Sequence, residues 1–191
     1  MLDLFSFSTQ KNPVPENILQ EIVSSIFKGY AVANAIYDQT SFVELERSHS
    51  LPWIKRDALD LTFKNNKSLI VNNPPVYGPV KPIVITYDNF IFTHHHNTVG
   101  KSKYRKKLIE KHNNSDSLVG NYDYFSIIIC GKLSVEAISL RLEYMNGTYT
   151  DFELDLNYSL DSETEEVRDL TDQFLKKHTE KTEQESIRQG I

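Results

Sequence analysis

Apolar and polar residues alternate across residues 136–158. Ile138, Leu140, Leu142 and Tyr144 come first, then Phe152, Leu154, Leu156 and Tyr158, with mostly polar residues between them. A period of two is that of a half-buried strand, and two such runs around Asn146-Gly147 predict a β-hairpin. A two-residue turn would set Leu142 opposite Asp151 with their side chains on different faces, which a sheet with one buried face does not allow. A three-residue loop, Met145-Asn146-Gly147, pairs Tyr144 with Thr148, Leu142 with Thr150, Leu140 with Phe152 and Ile138 with Leu154. The same register puts Arg141 opposite Asp151 on the solvent face.

Upstream the period changes. Ile18, Leu19, Ile22, Val23, Ile26, Phe27, Tyr30, Ala33 and Tyr37 follow helical spacing, and Pro13 and Pro15 supply a start signal. Gly29 lies inside this helix, where it permits a close crossing or marks a kink. A second helix is expected from Leu51-Pro52, with Trp53, Ile54, Ala58 and Leu61 on its inner stripe and an end near Asn65-Asn66. Trp53 is expected to pack against the first helix. The connection between the two helices is too long for a DNA-binding helix-turn-helix.

Strand patterns follow at residues 68–72, 83–87 and 90–93, the last two joined by a tight turn at Asp88-Asn89. The proline-rich stretch between the first and second reads as an edge or a crossing loop. A basic helix is expected over about residues 101–112. Residues 124–130 are almost continuously apolar, as in a strand covered on both faces. A final helix begins near Ser162 and Glu165, which have capping-box spacing, and docks through Val167, Leu170 and Phe174. The expected architecture is α+β: a single domain over residues 1–178, with N-terminal helices on a mainly antiparallel sheet of about five or six strands and a C-terminal helix. Residues 179–191 form a polar tail, frayed or disordered.

The composition, 39% apolar and 25% charged over 191 residues, is that of an ordinary globular protein. The lone cysteine, Cys130, excludes an internal disulfide and reads as a packed small hydrophobe. No apolar run has the length of a membrane span, and the first residues lack a signal-peptide pattern. The expectation is a cytoplasmic protein with no membrane partner; its oligomeric state is left open.

Charge changes the picture more than composition does. Lys101, Lys103, Arg105, Lys106, Lys107 and Lys111, against Glu110 alone, give residues 101–111 a charge of +5 and leave −10 for the rest of a chain whose net charge is −5. A local positive field of this kind attracts an anionic partner, nucleic acid or acidic protein, even on an acidic protein. The bland account is a solvated helix face, or one docked on the acidic C-terminal helix. A protein-interaction surface on the acidic side, around Glu163, Glu165, Glu166 and Asp169, is a further alternative.

Candidate chemistry centres on His94-His95-His96. Strand alternation sends His94 and His96 to one face, where two imidazoles can hold a divalent metal, with His112 or a carboxylate completing the set. Lys101 or Arg105 would then hold phosphate in a metal-dependent phosphodiester hydrolase. His94 and His96 share parity with Phe90 and Phe92, so finishing a half-buried face is the competing account. Glu44 and Glu46 with Asp57 or Asp60 offer a second carboxylate grouping. Gly100-Lys101-Ser102 fails as a phosphate loop, because the glycine that motif needs is His95 here. No catalytic residue set is assigned. The leading expectation is a non-catalytic binding protein that needs no cofactor, with the metal-dependent hydrolase as its alternative.

Overall fold

The computed structural model describes residues 12–39, 47–72, 84–97, 123–132, 134–143, 148–154, 156 and 165–189. Helix α1 (Glu16–Gln39) opens after Pro15, whose carbonyl accepts the first helical hydrogen bonds from the Ile18 and Leu19 amides at 3.0 and 3.1 Å. Asn12 Oδ1 accepts from the Val14 amide at 3.1 Å and turns the chain into the helix. Helix α2 (Arg47–Asn65) starts earlier than the proline signal implies. Pro52 therefore stands inside it, past the first turn, and forgoes one helical hydrogen bond.

Six strands follow in spatial order: β1 (Ile70–Asn72), β2 (Val84–Tyr87), β3 (Phe90–His96), β4 (Asp123–Cys130), β5 (Ala137–Glu143) and β6 (Tyr149–Glu153). Each neighbouring pair is antiparallel except β3 and β4, which run parallel. Helix α3 (Glu165–Gln189) is the last described element. The fold is α+β, as the alternation of periods implies.

The hairpin register follows the hydrophobic pattern. Leu142 pairs with Thr150, Arg141 with Asp151 and Leu140 with Phe152, and the Leu154 amide reaches the Ile138 carbonyl at 3.0 Å. The expected pairing of Tyr144, and the loop 145–147, lie outside the described residues. On the solvent face Arg141 grips Asp151 with two hydrogen bonds, 2.7 and 2.8 Å, and lies 3.8 Å from the centroid of the Tyr149 ring. The Asp151 carboxylate raises the Arg141 pKa above its ordinary value. The β2–β3 turn is closed by Tyr87 pairing with Phe90, with Asp88 in the left-handed region at φ 50°.

One core lies between α1, α2 and the inner face of the sheet, built from Ile22, Ile26, Phe63, Phe92, Phe125, Ile127 and Leu140 among others. A second, smaller core joins Val32, Ala33, Ile36 and Ala58 to Val167, Leu170 and Phe174 of α3. The central strands are buried on their other face too, through Ile91, Thr93, Tyr124, Ser126 and Ile128. This accounts for the near-continuous apolar run of β4.

Two sequence-based placements on α2 change. Its buried stripe is Leu51, Lys55, Ala58, Leu59, Thr62 and Phe63, rotated from the expected one, and Trp53 is 57% exposed with the Arg56 guanidinium 5.7 Å from its ring centroid. Cys130 is half-buried at the end of β4 rather than packed.

Gly29 marks a close crossing, and α1 runs through it unbroken. A Cβ there would stand 2.7 Å from Leu59 Cδ2 and 3.1 Å from both Leu59 Cα and Thr62 Oγ1. Gly29→Ala is therefore expected to lower the urea midpoint, since overpacking at about 1–3 kcal/mol outweighs a helix-propensity gain of about 1 kcal/mol. An unchanged or raised midpoint would show that the two helices can separate at little cost.

Candidate functional site

Parallel pairing brings the carboxyl ends of β3 and β4 to one end of the sheet. His96 lies beside Ile129 in the register, and the Asn97 amide, at φ 58°, continues the ladder by donating to the Ile129 carbonyl at 3.0 Å. After Cys130 the chain turns at Gly131, with φ 128°, and a side chain there would overlap the Ser134 carbonyl. The Glu136 amide closes this turn on the Cys130 carbonyl at 2.9 Å. Loops at the carboxyl ends of parallel strands are where α/β sheets commonly place their sites.

Helices α1 and α2 project polar side chains to this end. Lys55 is only 6% exposed, and its ammonium donates to the carbonyls of Gly131 at 3.1 Å and Lys132 at 2.8 Å, with the Tyr30 ring centroid 4.9 Å away. Burial, with Lys132 nearby, lowers its pKa. Tyr30 donates its hydroxyl proton to the Gly131 carbonyl at 3.2 Å, and burial raises its pKa above the ordinary phenol value.

The three histidines divide as strand alternation requires. His95 takes the outer face, where its Nε2 is 3.0 Å from Thr93 Oγ1, which also meets the Tyr124 hydroxyl at 2.7 Å. On the inner face, His94 stacks on Phe63 with ring centroids 5.8 Å apart and its side chain is 6% exposed. Its Nε2 lies 3.0 Å from Asp60 Oδ1. A carboxylate only accepts, so this nitrogen carries the proton. His96 Nδ1 lies 3.4 Å from the Tyr30 hydroxyl. The Tyr30 hydroxyl has one proton for the Gly131 carbonyl and His96 Nδ1, and its oxygen accepts from Nδ1 when that proton goes to Gly131. The remaining ring nitrogens, His94 Nδ1 and His96 Nε2, are buried and have no hydrogen-bond partner among the described residues.

Of the metal set inferred from sequence, His94 and His96 share this face, while His112 lies outside the described residues. So do all of Lys101, Lys103, Arg105, Lys106, Lys107 and Lys111. Among the described residues no group of three His, Cys, Asp or Glu side chains is placed to hold a metal, and no helix is long and apolar enough to cross a membrane.

Sequence reasoning missed Tyr30, Lys55 and Gly131 as members of this cluster, and gave Asp60 only a place in a different carboxylate group. The available signal was spacing. Lys55 falls four residues after Leu51 and three before Ala58, inside the buried stripe of α2.

Burial, with the Lys55 charge next in weight, lowers the His96 pKa to about 4. The folded state thus holds fewer protons than the unfolded chain between about pH 6.5 and 4. The stability this neutral imidazole contributes is complete above about pH 6.5 and is lost as pH falls through about 4. Urea midpoints should decline across that window, and an NMR titration should place the His96 midpoint near pH 4. A midpoint near 6.5 would contradict the buried placement. No family model matches the chain, and neither a curated protein nor a solved structure does.

Proposed function

We propose that the chain is a cytoplasmic binding protein whose partner is a polyanion, a nucleic acid, engaged by the basic stretch 101–111. The observation that carries this reading is the charge segregation: +5 over these residues against −10 for the remainder. The competing account, in which the stretch is neutralised by α3, is weakened at Glu166. That carboxylate is already engaged by Lys28 at 2.7 Å, and α3 spends its apolar face on α1 and α2.

Lysine-rich contacts act on phosphate through charge and carry little base readout. Binding to a labelled oligonucleotide should accordingly weaken with salt, with a slope of about −0.7 to −0.9 per phosphate neutralised. Reversing Lys103, Arg105 and Lys107 to Glu should abolish it. Affinity that ignores salt or survives the reversal would remove this reading, and capture of an acidic protein in place of the oligonucleotide would redirect it.

A second reading, metal-dependent hydrolysis of phosphodiester bonds, is favoured by one observation: the two open imidazole nitrogens on one face of β3. In that case the basic stretch would hold the substrate.

A further inference from the structure

We propose that α3 is a releasable latch, which opens from α1 and α2 as one unit while the core beneath the sheet stays folded, and which when closed seals an apolar groove between those helices. The partition of buried side chains carries the inference. Among the described residues, Val167, Leu170 and Phe174 of α3 meet Val32, Ala33 and Ile36 of α1 and Ala58 of α2, and no strand residue enters that cluster. The main core takes α1 from Val14 to Tyr30, Leu59 and Phe63 of α2, and the inner face of the sheet, and it contains no residue of α3. Helix α1 is thus divided along its length. Its first part is held by the sheet, and its last part holds α3.

The contacts that fix the two helices to each other and to the sheet lie on the main-core side of this division. The Thr62 hydroxyl donates to the Ser25 carbonyl at 2.9 Å and the Asn66 amide to Glu21 at 2.9 Å, while Tyr30 and Lys55 hold the Gly131 carbonyl. None of these groups belongs to α3. On the latch side, the Lys28–Glu166 ion pair at 2.7 Å joins side chains that are 24% and 59% exposed, so it contributes little and salt screens it. The Thr171 hydroxyl, though buried, bonds within its own helix to the Val167 carbonyl at 2.7 Å. Local stability within a fold ranges from near zero to the global value, and an element with a short apolar stripe and an exposed ion pair belongs to the lower part of that range.

What release uncovers is apolar. Val32, Ala33, Ile36 and Ala58 are fully or almost fully buried, and the helix that covers them does so with side chains at positions i, i+3 and i+7. The groove is therefore a seat for one amphipathic helix, with α3 as its own occupant.

The test is native-state hydrogen exchange on the full-length chain, followed by NMR in low concentrations of urea. The amides of α3 from Leu170 to Leu175 are expected to exchange through one shared opening, at least about 10-fold faster than those of Ile22 and Ile26, with a shallower but measurable urea dependence. Ile127 is fully buried in the main core and stays so when the latch opens. Ile127→Val should accordingly speed exchange of the core amides by about 2- to 10-fold and leave those of α3 unchanged. Exchange of α3 at core rates with the same urea slope, or an equal response of both groups to Ile127→Val, would overturn the proposal. So would α3 amides whose rates ignore urea and differ from one another, which is the behaviour of a fraying helix. The readout involves no nucleic acid, so its failure and that of the polyanion reading are separate results.

Discussion

The parallel pairing of β3 with β4 is the constraint on which the rest of the molecule depends. It is the only parallel junction among the described strands, and it buries both strands on both faces. It also sets two strand ends side by side, and the turn after β4 has to be held there. Gly131 makes that turn possible, while Tyr30 from α1 and Lys55 from α2 hold its carbonyls. The helices are fixed in turn by the crossing at Gly29 and by Asn66, whose side-chain amide donates to Glu21 and Ser25 of α1 at 2.9 and 3.0 Å. The same contacts that position the helices thus position the imidazoles.

Magnitudes separate this cluster from the polar contacts elsewhere. The Arg141–Asp151 pair has good bidentate geometry, but it is partly exposed and contributes about 1 kcal/mol at most. The cluster at the sheet end lies out of water, where a lost partner costs about 1–3 kcal/mol per group. Lys55 meets that cost with two carbonyls and an aromatic face. The histidines meet it only in part, since each uses one nitrogen and leaves the other open. A cluster built for stability alone would more simply have been apolar, given the phenylalanines that precede it on the same strand face.

Much of the fold was legible because it is written in local periods. The β5–β6 register followed from requiring Leu140 and Leu142 to share a face with Phe152, and the docking face of α3 from the spacing of Val167, Leu170 and Phe174. The α2 stripe was misjudged because Trp53 and Ile54 outweigh Lys55 on any hydropathy scale, and only tertiary contacts show a lysine stem and ammonium turned inward beneath them. His94 and His96 could be placed on one face by alternation. Their partners could not, because Asp60 and Tyr30 meet them across 34 and 66 residues of sequence, separations over which pattern carries no signal. The parallel pairing was likewise beyond local reading, since an apolar run fits either strand direction.

The central claim is that the fold holds His94 through Nε2 on Asp60 and His96 through Nδ1 at the Tyr30 hydroxyl, with the other nitrogen of each ring left without a partner among the described residues. Long-range nitrogen-15 NMR of the histidine rings in metal-free protein at neutral pH tests it directly. The account predicts a protonated Nε2 in His94 and a protonated Nδ1 in His96. Rings that exchange between tautomers, or that share the same tautomer, would contradict it.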